Sequence, residues 1–260
     1  LSTLDLSGTF LVSAEHLDRN LPSLTSLTFC QMQTWRFKFP PKLTHLDLKR
    51  CVSVEWILKD LASCTNLQRL SLSFGNTGSL SVADVKLIPP SVTSLRLVNV
   101  EDFTVKHFEQ LPAKLCSLEI AMDHFSVDAM LAYKWPTTLT ALKIEPQFVG
   151  HASQGDWLHF LLSLPRGLKS IEGSFADERH ALKRSVELQT LPRTLTRMAW
   201  ELSPSGDFDV DNPDLDFSLL PRSLTHLRSR FLVYDFQLAQ LPRGLVFLNI
   251  DLSMLQLESA

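Results

Sequence analysis

One short apolar phrase, L-x-x-L-x-L with Val, Ile, Met or an aromatic standing in for Leu, recurs along the whole chain. It starts at Leu1, Leu24, Leu43, Leu67, Val92, Leu115, Leu139, Leu168, Leu195, Leu224 and Leu245, in steps of 19 to 29 residues. In a strand, side chains alternate between faces, so the fourth and sixth residues of each copy (Leu46 and Leu48, Leu95 and Leu97) point to one side. A single copy cannot bury them. A period of about 20–29 residues belongs to units made of one short strand and a returning segment, and such units bury their apolar face only by stacking. Eleven strands at ~4.8 Å spacing make a parallel sheet roughly 50 Å long with a leucine ladder on its inner side. That ladder consumes the leucine, 49 of 260 residues. Two copies look worn: "LKSIEG" has Gly173 at the third apolar site, and "LTHLRS" has Ser229 there.

A proline stands just ahead of the phrase at Pro41, Pro90, Pro112, Pro136, Pro165, Pro192, Pro221 and Pro242. Proline fixes φ near −65° and has no N–H, so it ends the returning segment and opens a tight turn. The preceding apolar residue, such as Leu111, Trp135, Leu191 or Leu220, is expected to plug the core from outside. Ser13, Ser53, Ser81, Thr104 and Ser126 each precede a short amphipathic stretch, which predicts N-capped helices on the outer face of the first seven units. From about residue 145 the outer segments are longer and more polar, and irregular loops with some helix are expected there.

The whole chain, 1–260, reads as a single repeat domain. It opens in mid-phrase without an initiator Met, as a fragment of a longer chain would. A net charge of −3 and a pI of about 6.3 argue against nucleic acid or an anionic membrane as the main partner. No apolar run approaches the ~18–20 residues that cross a bilayer. Cys30, Cys51, Cys64 and Cys116 form no C-x-x-C pair, and no N-x-S/T sequon occurs. Both point to a reducing, cytoplasmic compartment.

These features together resemble the leucine-rich repeat proteins. The segment 43–73 is similar to the cysteine-containing repeats of F-box-type adaptors, with Cys51 at the ninth, inward position. The L-P-x-x-L-x-x-L-x-L units are similar to the FNIP repeats of slime moulds and the LPX repeats of bacterial type III effectors. No Phe-Asn pair follows the strands as in FNIP, and the period is not the strict 20-mer of LPX. The resemblance implies an α/β solenoid, or horseshoe: a concave parallel sheet of about eleven short strands with short helices and loops on the convex side. It further implies binding of another macromolecule on the concave sheet, without catalysis.

The concave face is expected from the third, fifth, seventh and eighth residues of each phrase. Its candidate partner-binding residues are Asp47, Arg69, Arg96, Glu119, Lys143, Glu172 and Arg228, with Phe74, Phe175, Phe231 and Phe247 as aromatics beside them. Charged and aromatic side chains in alternation suit protein recognition. Arg166, Arg193, Arg222 and Arg243 form a second, basic row in the last four corners. The D-x-D-x-D start of "DFDVDNPDLDF" is that of a calcium loop, but Asn212, Pro213 and Ser218 break the pattern, so a solvated acidic loop is expected. His45 and Asp47 share a strand face without a nucleophile. No metalloprotease, nucleophile-elbow, phosphate-loop or dinucleotide motif occurs, and neither enzyme activity nor a cofactor or metal is expected. The expected partner is a protein. The alternative is a structural protein that self-assembles through its solenoid ends or edges, since Leu1–Leu6 and "DLSMLQLESA" offer no polar cap.

Overall fold

The computed structural model describes residues 1–10, 17–30, 38–51, 55–75, 79–101, 103–125, 133–149, 154–173, 185–200, 216–229 and 239–250. Eleven strands form one sheet in chain order: β1 Thr3–Phe10, β2 Ser26–Cys30, β3 His45–Cys51, β4 Arg69–Phe74, β5 Ser94–Val100, β6 Ser117–Phe125, β7 Ala141–Val149, β8 Ser170–Gly173, β9 Arg197–Ala199, β10 His226–Ser229 and β11 Phe247–Ile250. All ten neighbouring pairs are parallel. The register sets equal positions of successive phrases side by side: Leu46 against Leu70 against Leu95, and Asp47 against Ser71 against Arg96.

Register turns periodicity into a core. The fourth- and sixth-position residues of the middle rungs, from Leu46 and Leu48 to Leu142 and Ile144, are at most 2% exposed. The first-position residues from Leu24 to Leu224 are buried as completely. Burying each such side chain stabilises the fold by roughly 1.5–3 kcal/mol relative to leaving it in water. The worn copies keep their places too. Gly173 and Ser229 are both buried, and between them in the sixth row stands Trp200, 2% exposed. Two small residues flank one very large one, which conserves volume along the ladder.

Short helices close the core: α1 Leu17–Asn20, α2 Glu55–Leu61, α3 Val82–Lys86, α4 Val105–Phe108, α5 Gln154–Ser163 and α6 Ser185–Thr190, with a 3-10 turn at Phe217–Leu219. Leu58, Leu61, Val85, Phe108, Phe160 and Leu188 bring their apolar faces onto the ladder. Ser81 caps α3 as expected: its Oγ accepts from Asp84 N at 3.1 Å, and Asp84 Oδ2 accepts from Ser81 N at 3.0 Å. At α4 the reciprocal acceptor is a histidine, with Thr104 N donating to His107 Nδ1 at 3.0 Å. Ser13, Ser53 and Ser126 lie outside the described residues. The longest described helix, α5, is part of the helix expected among the longer outer segments past residue 145. Its "WLHFLLS" run carries apolar residues at helical spacing that outweigh the polar residues before it.

The corners are uniform. The N–H of each first-position residue bonds a carbonyl three residues back: Leu43 to Pro40, Val92 to Pro89, Leu115 to Pro112, Leu139 to Pro136, Leu168 to Pro165, Leu195 to Pro192, Leu224 to Pro221 and Leu245 to Pro242, at 3.0 to 3.2 Å. In the two Pro-Pro corners the equivalent residues are therefore Pro40 and Pro89, one place before the prolines singled out from sequence. Leu21 and Cys64 supply the same carbonyl where proline is missing.

Just past each corner lies a second row. The second-position carbonyl of every rung accepts from the N–H groups of the second and third residues of the next, from Ser2 through to Thr225 without a break. Threonine hydroxyls add to it, Thr44 Oγ1 on Thr25 O at 2.9 Å and Thr140 Oγ1 on Cys116 O at 3.0 Å. At the far end of β3 and β5, Arg50 and Asn99 take the left-handed conformation, φ 55° and 57°. The ladder shifts there by one residue, bringing Cys51 opposite Phe74 and Val100 opposite Met122. Asn99 is held by its side-chain amide, which donates to Phe74 O at 3.3 Å.

Candidate functional site: the open sheet face and its basic edge

The face of the sheet turned away from the helices is built from the third and fifth positions, as the alternation requires. All seven candidate residues lie on it: Asp47, Arg96, Glu119, Lys143, Glu172 and Arg228 in the fifth row, and Arg69 in the third. Four of them sit on consecutive rungs and bond one another. Arg96 Nε is 3.0 Å from Glu119 Oε1, and Lys143 Nζ is 3.3 Å from the same oxygen. Lys143 also reaches Glu145 at 2.9 Å and Glu172 at 3.6 Å. The sheet's spacing thus places opposite charges one rung apart and ties them into a ladder.

Electrostatics follows the geometry. Partial burial works to lower the Lys143 pKa. The hydrogen bond to Glu145 and the charges of Glu119, Glu172 and Glu145 together outweigh it, and the ammonium is held above its ordinary value of 10.5. Asp47 leans on Lys49 at 3.7 Å, while its Oδ1 and the Oγ of its in-register neighbour Ser71 are buried without a hydrogen-bond partner. Arg69, Arg197 and Arg228 are exposed and take part in no ion pair among the described residues.

One expectation needs correction. Phe74 is not a surface aromatic: it is 1% exposed, because β4 alternates without interruption and its eighth position falls on the inward side with Leu70 and Leu72. His45 does not engage Asp47. Its Nδ1 lies 2.8 Å from Thr44 Oγ1, whose single proton goes to Thr25 O, so Nδ1 is the donor. His226 repeats the arrangement on Thr225 and stacks on exposed Phe247, centroids 5.9 Å apart. Phe175, Phe231 and the acidic run at Asp207, Asp209, Asp211 and Asp214 lie outside the described residues. Asp216 does not: its Oδ1 accepts from Ser218 N at 2.9 Å and starts the 3-10 turn. Among the described residues no group of three His, Cys, Asp or Glu side chains could hold a metal, and no helix is long and apolar enough to cross a membrane.

The edge where the strands begin has its own character. A shallow groove of about 480 Å³ opens there across the third to sixth rungs, lined by Lys42 and Lys114 with polar side chains such as Asn66, Gln68 and Ser91 between them. Further along, Arg166, Arg193, Arg222 and Arg243 are all exposed at the same turn position. Arg193 is a strut, its guanidinium donating to Leu219 O at 3.0 Å and Gln189 O at 3.4 Å. The threonine row was missed from sequence, although "LTHLDL", "LTALKI" and "LTHLRS" repeat the Thr in plain view.

No protein-family model matches the sequence, and no curated protein is similar enough in sequence to align with it. Solved structures do match in shape. The leucine-rich repeat-containing protein LegL7 of Legionella pneumophila superposes with a TM-score of 0.59 at 16% identity, covering 95% of this chain and 90% of that one. TLR13 in its complex with ssRNA13 superposes with a TM-score of 0.51 at 15% identity, covering 96% of this chain and 43% of that one. Eleven parallel rungs in chain order, a leucine ladder and these neighbours establish the fold as a leucine-rich repeat solenoid.

Proposed function

We propose that this chain is a non-catalytic protein-recognition module that receives its partner on the open sheet face, as the reading surface of an adaptor or effector. The observation that carries the reading is the ladder Arg96–Glu119–Lys143–Glu172. It holds charged groups of both signs in fixed places before any partner arrives, so little side-chain freedom is lost on binding. Arg69 and Arg228 lie to either side of it without an ion-pair partner among the described residues, and arginine is a residue type enriched at interface anchors.

The test uses Arg69→Glu with Arg228→Glu, because neither change breaks an internal ion pair. Affinity capture from the native host is compared between the wild type and this double variant, with circular dichroism confirming equal folding. Proteins held by the wild type and lost by the variant support the face. Identical capture by both removes it.

A second reading is end-to-end self-association, favoured by one observation. β11 has no described strand on its outer side, and Val246, Phe247 and Leu248 are 81%, 48% and 43% exposed. Such an edge can accept a strand from another copy. Sedimentation should then show a mass that rises with concentration and falls back to the monomer in Val246→Lys/Leu248→Lys. A monomer at every concentration rejects it.

A further inference from the structure

We infer that the strand-start edge of the eighth to eleventh rungs is a docking strip for an extended acidic polypeptide segment, separate from the open sheet face. Its groups are Arg166, Arg222 and Arg243, with Lys169 one residue past the first corner. All are exposed, and none takes part in an ion pair among the described residues.

The turn does not require these arginines. The same turn position is filled by Pro22, Pro41, Thr65, Pro90, Ala113 and Thr137 in the second to seventh rungs, and the turn bond is the same throughout. The position accepts almost anything, yet in the last four corners it is arginine every time. The chain as a whole holds more acids than bases, 28 against 25. Even so, the corner segments from the turn carbonyl to the second position contain no Asp or Glu, in contrast to the balanced open face.

Rung spacing then sets the ligand. Corners lie about 4.8 Å apart, and an extended chain advances ~3.4 Å per residue with alternate side chains on one side. Carboxylates along such a chain stay within reach of guanidinium groups that can pair with them bidentately. A single-stranded nucleic acid would need aromatic platforms for its bases. The corner segments hold no Phe, Tyr or Trp. Arg193, fastened to Leu219 O, keeps adjacent corners at fixed separation.

The experiment is fluorescence anisotropy with a labelled peptide of about eight residues alternating Glu and Ser, enough to span four corners. Three proteins are compared: the wild type, the triple variant Arg166→Glu/Arg222→Glu/Arg243→Glu, and the open-face variant Arg69→Glu/Arg228→Glu. The wild type should bind at low salt and release as salt rises; the triple variant should lose affinity about tenfold or more, and the open-face variant should stay within about twofold. If the triple variant fails to fold by circular dichroism, the three arginines are changed to Gln instead. No binding by the wild type, equal binding by the triple variant, or tighter binding of a labelled oligothymidine of equal charge would each overturn the inference. Because the open-face variant is included, failure of the strip and failure of the sheet-face reading are told apart.

Discussion

Thr225 reaches one rung back to Thr196 twice, its N–H at 2.9 Å and its hydroxyl at 3.0 Å from the same carbonyl oxygen. His226 N–H adds a third bond at 3.0 Å. The two N–H bonds recur at every rung and the hydroxyl joins them at Thr25, Thr44, Thr93, Thr140 and Thr196, locking rung to rung at the point where the chain leaves its corner. In Thr44→Val or Thr225→Val the shape is kept and the hydroxyl lost, so each should lower unfolding free energy by ~0.5–1.5 kcal/mol. Urea unfolding measures it. Thr65→Val, on an exposed corner, should stay within about 0.5 kcal/mol of wild type.

Position along the ladder should decide what a leucine is worth. Leu97 is fully buried between two rungs, whereas Leu248 is 43% exposed on the last one. Leu97→Ala should destabilise by roughly 3 kcal/mol and Leu248→Ala by less than about 1 kcal/mol. Equal losses, measured by thermal and urea unfolding, would mean that the end rung is covered.

The ion ladder predicts a pH dependence with a definite sign. Lys143 is held above its ordinary 10.5 in the folded chain, so the protonated amine favours folding. That contribution is complete below the unfolded value and disappears as pH rises through the folded one. Wild type should therefore lose stability relative to Lys143→Met as pH rises above the ordinary lysine value of 10.5. With Lys143 and its three carboxylate partners partly exposed, the effect is small and weakened by salt.

Thiol chemistry should follow burial. Cys64 is fully buried, and desolvation pushes its pKa above the ordinary 9.0. Cys116 is exposed, its Sγ 3.6 Å from Lys114 O. A thiol-specific chromogenic reagent should modify Cys116 in the native protein and Cys64 only after denaturation, with Cys116→Ser removing the fast phase.

The number and order of the rungs, the inward fourth and sixth positions and the charged fifth row were legible because they are periodic, and a parallel sheet preserves period. Contacts set by register were harder to read. Arg96, Glu119, Lys143 and Glu172 look like four separate contacts in the sequence and become each other's partners once their rungs align. Phe74 was expected on the open face with the other eighth positions, yet the unbroken alternation of β4 carries it inward with Leu70 and Leu72. Gly173 and Ser229 look like decay until Trp200 is seen between them, as both small residues and the indole belong to one volume. The threonine row escaped notice because its acceptors are carbonyls a full repeat away, which no residue type announces.

The cross-rung threonine bond closes over 19 residues at Thr44 and over 29 at Thr225, with oxygen separations of 2.9 and 3.0 Å. Contour length between rungs is thus invisible to the joint that holds them. Lengthening a closed loop is thermodynamically cheap, ~0.6 kcal/mol per doubling. A reporter peptide or protease site spliced into an outer segment should leave the neighbouring strands in place, so this scaffold can carry cargo on its back while its front remains unaltered.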